Sequence, residues 1–70
     1  MANEVKPHLL RVGQQIAEVR KAKKLSFAAL EELTGINHSN LNRIERGILS
    51  PNVDTLCRIA KALDMTITIP

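Results

Sequence analysis

The stretch from Ser26 to Gly47, SFAALEELTGINHSNLNRIERG, constrains this chain more than any other, because it holds two helix starts and two helix stops in one short span. Ser26 can open a helix by accepting a hydrogen bond from a backbone N–H of the first turn, and Gly35 can take the left-handed conformation that closes it. Ile36 follows as a hydrophobic plug. Asn37 can open a second helix, which runs to Gly47, another left-handed stop. The span predicts two short capped helices joined by a tight turn.

The rest of the chain must supply a core for that pair. Hydrophobic residues are 44% of the 70, but Phe27 is the only aromatic, so the core has to be aliphatic. A single domain of this size buries only about 60% of the surface its unfolded chain exposes, and its stability should be roughly 4–10 kcal/mol. At about 100° per residue, Leu9, Val12, Gly13, Ile16 and Val19 fall on one stripe of a helix before the span. Val53, Leu56, Ile59, Ala60 and Leu63 make a second stripe after it, with Asn52 as N-cap, Asp54 in the first turn and Cys57 at the stripe's edge. No alternating β pattern appears until the last few residues. The expected fold is therefore all-α, a four- to five-helix domain covering residues 1–70. One cysteine excludes an internal disulfide and a CxxC metal knuckle, which suits a reducing, cytoplasmic setting. No signal-peptide core and no membrane-length apolar run is present, and His8 has no partner at metal-ligand spacing. Membrane, metal and cofactor are accordingly not expected.

Two helices linked through a Gly-containing turn make a helix-turn-helix, whose second helix can enter the DNA major groove. On that helix His38, Asn42, Arg46, Ser39 and Arg43 occupy a continuous arc of about 140°, opposite the side carrying Leu41 and Ile44. Every one can donate a hydrogen bond and none is acidic, so the face suits base edges and phosphate oxygens. Net charge is +3. Arg20, Lys21, Lys23 and Lys24 cluster at the end of the first helix, which favours phosphate contact beside a helix-turn-helix. Arg20 nevertheless falls inside the apolar stripe, where a guanidinium needs a buried or half-buried partner. Glu45 lies about 40° round from Leu41 on the core edge of the third helix. An Arg20–Glu45 ion pair is expected to tie the first helix to the third.

The wording of G-I-N-H-S-N-L-N-R-I-E-R-G resembles the phage-repressor (Cro-like, also called XRE) helix-turn-helix family, which favours G-[VI]-S-x-x-x-[IL]-S-x-I-E-x-G there. The likeness runs from about Leu10 to Met65. V-G-Q-Q-I-A-E-V-R is similar to the family's first helix, and S-P-N-V-D-T-L-C-R-I-A-K-A-L-D-M to its fourth. The resemblance implies that His38, Ser39 and Arg43 read bases, with Asn42 beside them. It also implies that Asn37, Arg46 and Arg20 reach phosphates, and it pairs Arg20 with Glu45 as the bottom-up reading does. Arg43 could fork to guanine O6 and N7.

Three departures from the family pattern stand out. Phe27 occupies the place of a usual Gln that helps hold phosphate, leaving its backbone N–H for that task. Glu31 stands where a small Ala is usual, which bears on how closely the second and third helices approach. Lys24 replaces a usual Gly, at a strain cost if it is left-handed. The tail Met65–Pro70, M-T-I-T-I-P, alternates β-branched residues and reads as a strand over 65–69. Paired across a dimer, it would place Met65, Ile67 and Ile69 on one face, over the paired fourth helices.

The function implied is sequence-specific binding of double-stranded DNA at a palindromic operator, by a homodimeric transcriptional regulator acting as a repressor. The alternative is an antitoxin, which would also bind and neutralise a protein toxin. A third reading is a protein-interaction module that has lost DNA binding. An enzyme is disfavoured, because no nucleophile–base constellation, phosphate-binding glycine loop or metal cluster is present.

Overall fold

Residues 5–69 are described by a computed structural model, as four helices in order: α1 Pro7–Ala22, α2 Phe27–Thr34, α3 His38–Glu45 and α4 Val53–Leu63. Each boundary has a local cause. Pro7 sits in the first turn of α1, where its missing N–H costs nothing. Ser26 Oγ accepts from the Ala29 N–H at 3.0 Å, Asn37 Oδ1 from Ser39 at 2.8 Å and Asn52 Oδ1 from Thr55 at 2.8 Å, capping α2, α3 and α4. Gly35 ends α2 with φ +75°. Lys24 and Asp64 end their turns in the same left-handed region, at φ +57° and +52°, without the freedom of glycine. The strain foreseen at Lys24 is thus present.

Val12, Ile16, Leu30, Leu41, Ile44, Ile59 and Leu63 form the buried core, drawn from all four helices. The α1 and α3 backbones meet at Gly13, where a Cβ would stand 2.6 Å from the Glu45 carbonyl oxygen and closer still to that of Ile44. A glycine is required there for packing rather than for conformation. The turn between α2 and α3 is organised by Thr34, a buried hydroxyl that donates to the Leu30 carbonyl at 2.8 Å and accepts from the Ile36 N–H at 3.1 Å.

Two expectations are corrected. Residues 65–69 form no strand within this chain. A strand needs a partner for its backbone groups, and here an α1 side chain serves instead. The Gln15 amide donates to the Thr68 carbonyl at 2.7 Å and accepts from the Thr68 N–H at 2.8 Å. Met65 and Ile67 turn inward and pack on the chain's own core, whereas Ile69 is 65% exposed. Thr66 and Thr68 face outward, so the alternation of faces holds from Met65 to Thr68 although the ladder does not. The second correction concerns Val53, expected inside and found 75% exposed. It stands at the first position of α4, at the end of the stripe. The described residues contain no fifth helix, and none of their helices is long and apolar enough to cross a membrane.

Candidate nucleic-acid interface

The outer side of α3 opens into a shallow cleft lined by Phe27, His38, Ser39, Asn42, Arg43 and Arg46. The four polar residues expected to read bases therefore share one surface with Arg46 and with the first residue of α2. His38, Ser39, Arg43 and Arg46 are exposed, and Asn42 is half-buried. Asn37 stands at the mouth of α3 with its side-chain oxygen committed to the Ser39 N–H, leaving its amide NH2 for a partner. Lys24 is exposed at the end of α1.

Behind that surface Arg20 and Glu45 meet in a fork. Arg20 Nε lies 2.7 Å from Glu45 Oε2 and a terminal nitrogen 3.1 Å from Oε1, with side chains only 11% and 7% exposed. The other terminal nitrogen donates to the Leu25 carbonyl at 2.8 Å. The guanidinium also lies over the Phe27 ring, 4.2 Å from its centre, as a cation–π contact. One side chain thus joins α1, the α1–α2 loop, α2 and α3. Phe27, which cannot hold phosphate through its side chain, has this other occupation. For Arg20 the consequence is restrictive: three of its five N–H donors are engaged internally, and the group is mostly buried. Little of it remains to meet a phosphate.

Sequence reasoning missed the part played by Glu31. Its Oε1 accepts from the backbone N–H of His38 at 3.1 Å and lies 2.8 Å from His38 Nδ1. Rather than holding α2 and α3 apart, the larger residue reaches across the turn and caps α3. These contacts, the ring hydrogen bond first and the backbone one second, hold the Glu31 carboxyl below its ordinary value of 4.5 against the opposing effect of desolvation. The signal available was the Glu at a position where Ala is usual. Its partner lies seven residues on across a turn, beyond the i+3 and i+4 neighbours whose side chains meet along one helix. Among the described residues no group of three or more His, Cys, Asp or Glu is placed to hold a metal ion.

Comparison with known proteins agrees with this geometry. The HTH_3 family model, described as helix-turn-helix, matches residues 16–69. An uncharacterized HTH-type transcriptional regulator, y4dL, from Sinorhizobium fredii is 34% identical over 83% of the chain and 30% of the relative's length. The immunity repressor protein of Bacillus phage phi105 is 36% identical over 84% of the chain and 41% of its own length. The chain thus spans about a third of the length of such curated relatives. Among solved structures, the restriction-modification controller protein C.AhdI from Aeromonas hydrophila superimposes with a TM-score of 0.79 at 34% identity, covering 83% of this chain and 88% of that one.

Proposed function

The chain belongs to the HTH_3 helix-turn-helix family, and from that premise we propose that it binds operator DNA as a homodimer and represses transcription. The family is one of DNA-binding regulators, not of enzymes. In the proposed complex α3 enters the major groove. His38, Ser39, Asn42 and Arg43 meet base edges, while Arg46, Lys24, the Asn37 amide and the Phe27 backbone N–H meet phosphates. Arg20 serves chiefly by fixing α3 through Glu45. The observation that carries this reading is the open, donor-rich cleft on α3, with no acid among the residues that line it and braced from behind by a buried ion pair.

A dimer is favoured for two reasons. One recognition helix reads too few base pairs for useful specificity, so a palindrome with half-sites about 10 bp apart is the natural target. The α4 helix and the tail also form an apolar groove lined by Val53, Leu56, Cys57, Ala60, Ile67 and Ile69, with Val53 and Ile69 largely exposed. Exposed apolar surface of that kind marks interaction sites. Ile69 is then the tail residue that meets a second copy, while Met65 and Ile67 support it from inside. The toxin-neutralising alternative gains no support from the relatives named above.

The roles separate in competition binding across a base-substituted operator set at two salt concentrations. Arg43→Ala should relax preference at one position per half-site, by about 1–3 kcal/mol for a forked contact. Arg46→Ala should weaken all sequences alike and flatten the salt dependence. Identical specificity profiles for the two variants would sink the assignment, and protection of a single unrepeated half-site by a monomer would sink the dimer.

A further inference from the structure

Glu31 and His38 form a cluster whose chemistry the proposed function leaves unused. An ionised carboxylate has only acceptor sites, so the 2.8 Å contact between Glu31 Oε1 and His38 Nδ1 requires that Nδ1 carry the hydrogen. The same oxygen takes the backbone N–H of His38, so the carboxylate is registered against the start of α3 and cannot drift off with the ring. The Glu31 carboxyl, whose ordinary value of 4.5 is lowered further by these bonds, is ionised at neutral pH. A neutral imidazole has one N–H, and the hydrogen bond at one nitrogen decides the state of the other. In the neutral ring Nε2 is therefore left with a lone pair, and it has no hydrogen-bond partner among the described residues.

We infer that Glu31 is a specificity-determining positioning residue: by holding the Nδ1–H of His38, it makes Nε2 a committed acceptor for an exocyclic amino group in the major groove. The inference rests on the proposed function. Only adenine N6 and cytosine N4 present such a donor there, whereas guanine and the carbonyl edge of thymine present acceptors. The neighbours in the cleft cannot substitute. Arg43 and Arg46 only donate, and Ser39 and Asn42 can turn either way. His38, with 61% of its side chain exposed, is placed at the first position of α3, where recognition helices meet bases. Glu31 itself need not touch DNA.

Two measurements test this. Nitrogen-15 NMR of the imidazole in the free protein at neutral pH should show the Nδ1–H form in the unaltered chain and in Glu31→Gln, whose amide oxygen can accept the same two hydrogen bonds. Glu31→Ala should lose it. Competition binding follows, with His38→Ala used to locate the base that His38 meets. The unaltered chain and Glu31→Gln should favour an amino-bearing base there by about three- to tenfold, the range of one net hydrogen bond. Glu31→Ala should flatten that preference at this position alone, with helical content by circular dichroism unchanged. An Nε2–H form in the unaltered chain overturns the inference without any variant. So does a preference that survives Glu31→Ala after the tautomer has moved, or a loss spread evenly over all sequences, which would mean Glu31 only caps the helix. Both of these leave the proposed function standing if salt-dependent DNA binding persists. Failure of the unaltered chain to bind any duplex overturns that reading and this inference together.

Discussion

The two sides of this small domain are held in different ways. At the α3 side the supporting polar groups are bound to protein before any partner arrives: Arg20 is forked onto Glu45, Asn37 caps its own helix and Glu31 grips His38. At the α4 side the tail is fastened to α1 by the Gln15 amide, and apolar side chains at Val53 and Ile69 stay open. A rigid, charged surface suits recognition of a fixed polar lattice, because freezing long side chains during binding costs affinity. An open apolar surface suits association with another protein. The contrast implies that damage behind α3 should cost stability, while damage at the tail should cost little of it.

The largest expected effect breaks the rigid side. Glu45→Ala leaves the Arg20 guanidinium buried without its partner and should destabilise the fold by about 3–5 kcal/mol. Against a total of roughly 4–10 kcal/mol, urea titration should then find much of the protein unfolded near body temperature. Arg20→Met combined with Glu45→Leu should recover most of the loss, since the unpaired charge is gone. An unchanged urea midpoint for Glu45→Ala would erase the contrast between the two sides.

Next comes the α1–α3 crossing. Gly13→Ala drives a methyl group into the Ile44 and Glu45 carbonyls and should cost about 1–3 kcal/mol as the helices part. Thermal melting checks the loss. Weakened DNA binding at a temperature where the variant is still folded would show that the crossing sets the pose of α3.

Gln15→Ala sharpens the other half of the comparison. It removes both hydrogen bonds to Thr68, which lie in an exposed setting, so the loss should be about 1 kcal/mol or less. Amide exchange at Thr68 should quicken while α3 keeps its protection. A fall in stability as large as that of Glu45→Ala would mean that the tail belongs to the core after all.

The smallest effect concerns acid. The Glu31 carboxyl is held below its ordinary value of 4.5 in the folded chain, so its contribution to stability is present above that value and is lost as pH falls through the lower folded one. Glu31→Gln should therefore flatten the acid limb of the stability curve below about pH 4.5, with its small cost appearing at neutral pH, where the carboxylate's contribution is fully present. A steeper acid limb in Glu31→Gln would reverse the sign and rule out the contact in solution.

Much of the architecture was legible because it depends on short-range chemistry. Caps at Ser26, Asn37 and Asn52, stops at Gly35 and Gly47, and the stripes of α1 and α4 involve residues within a few positions of one another. Arg20–Glu45, although distant in sequence, was also legible, since a charge inside an apolar stripe demands a partner and few residues could serve. Other contacts gave no such warning. Glu31 meeting His38, Phe27 lying beneath Arg20, and Gln15 clasping Thr68 join groups that could each have been solvated alone.

The amino-acid sequence by itself thus determined the helices, their limits, the aliphatic core and the donor-rich face of α3, because periodicity and capping act along the chain. Tertiary structure alone decided that Glu31 caps α3, that most of Arg20 faces inward and that the tail lies on its own core without a strand. Those outcomes depend on distances between elements that no local pattern encodes. An exposed or half-exposed polar group has water as an adequate partner, so which protein group displaces that water is settled only when the helices have packed.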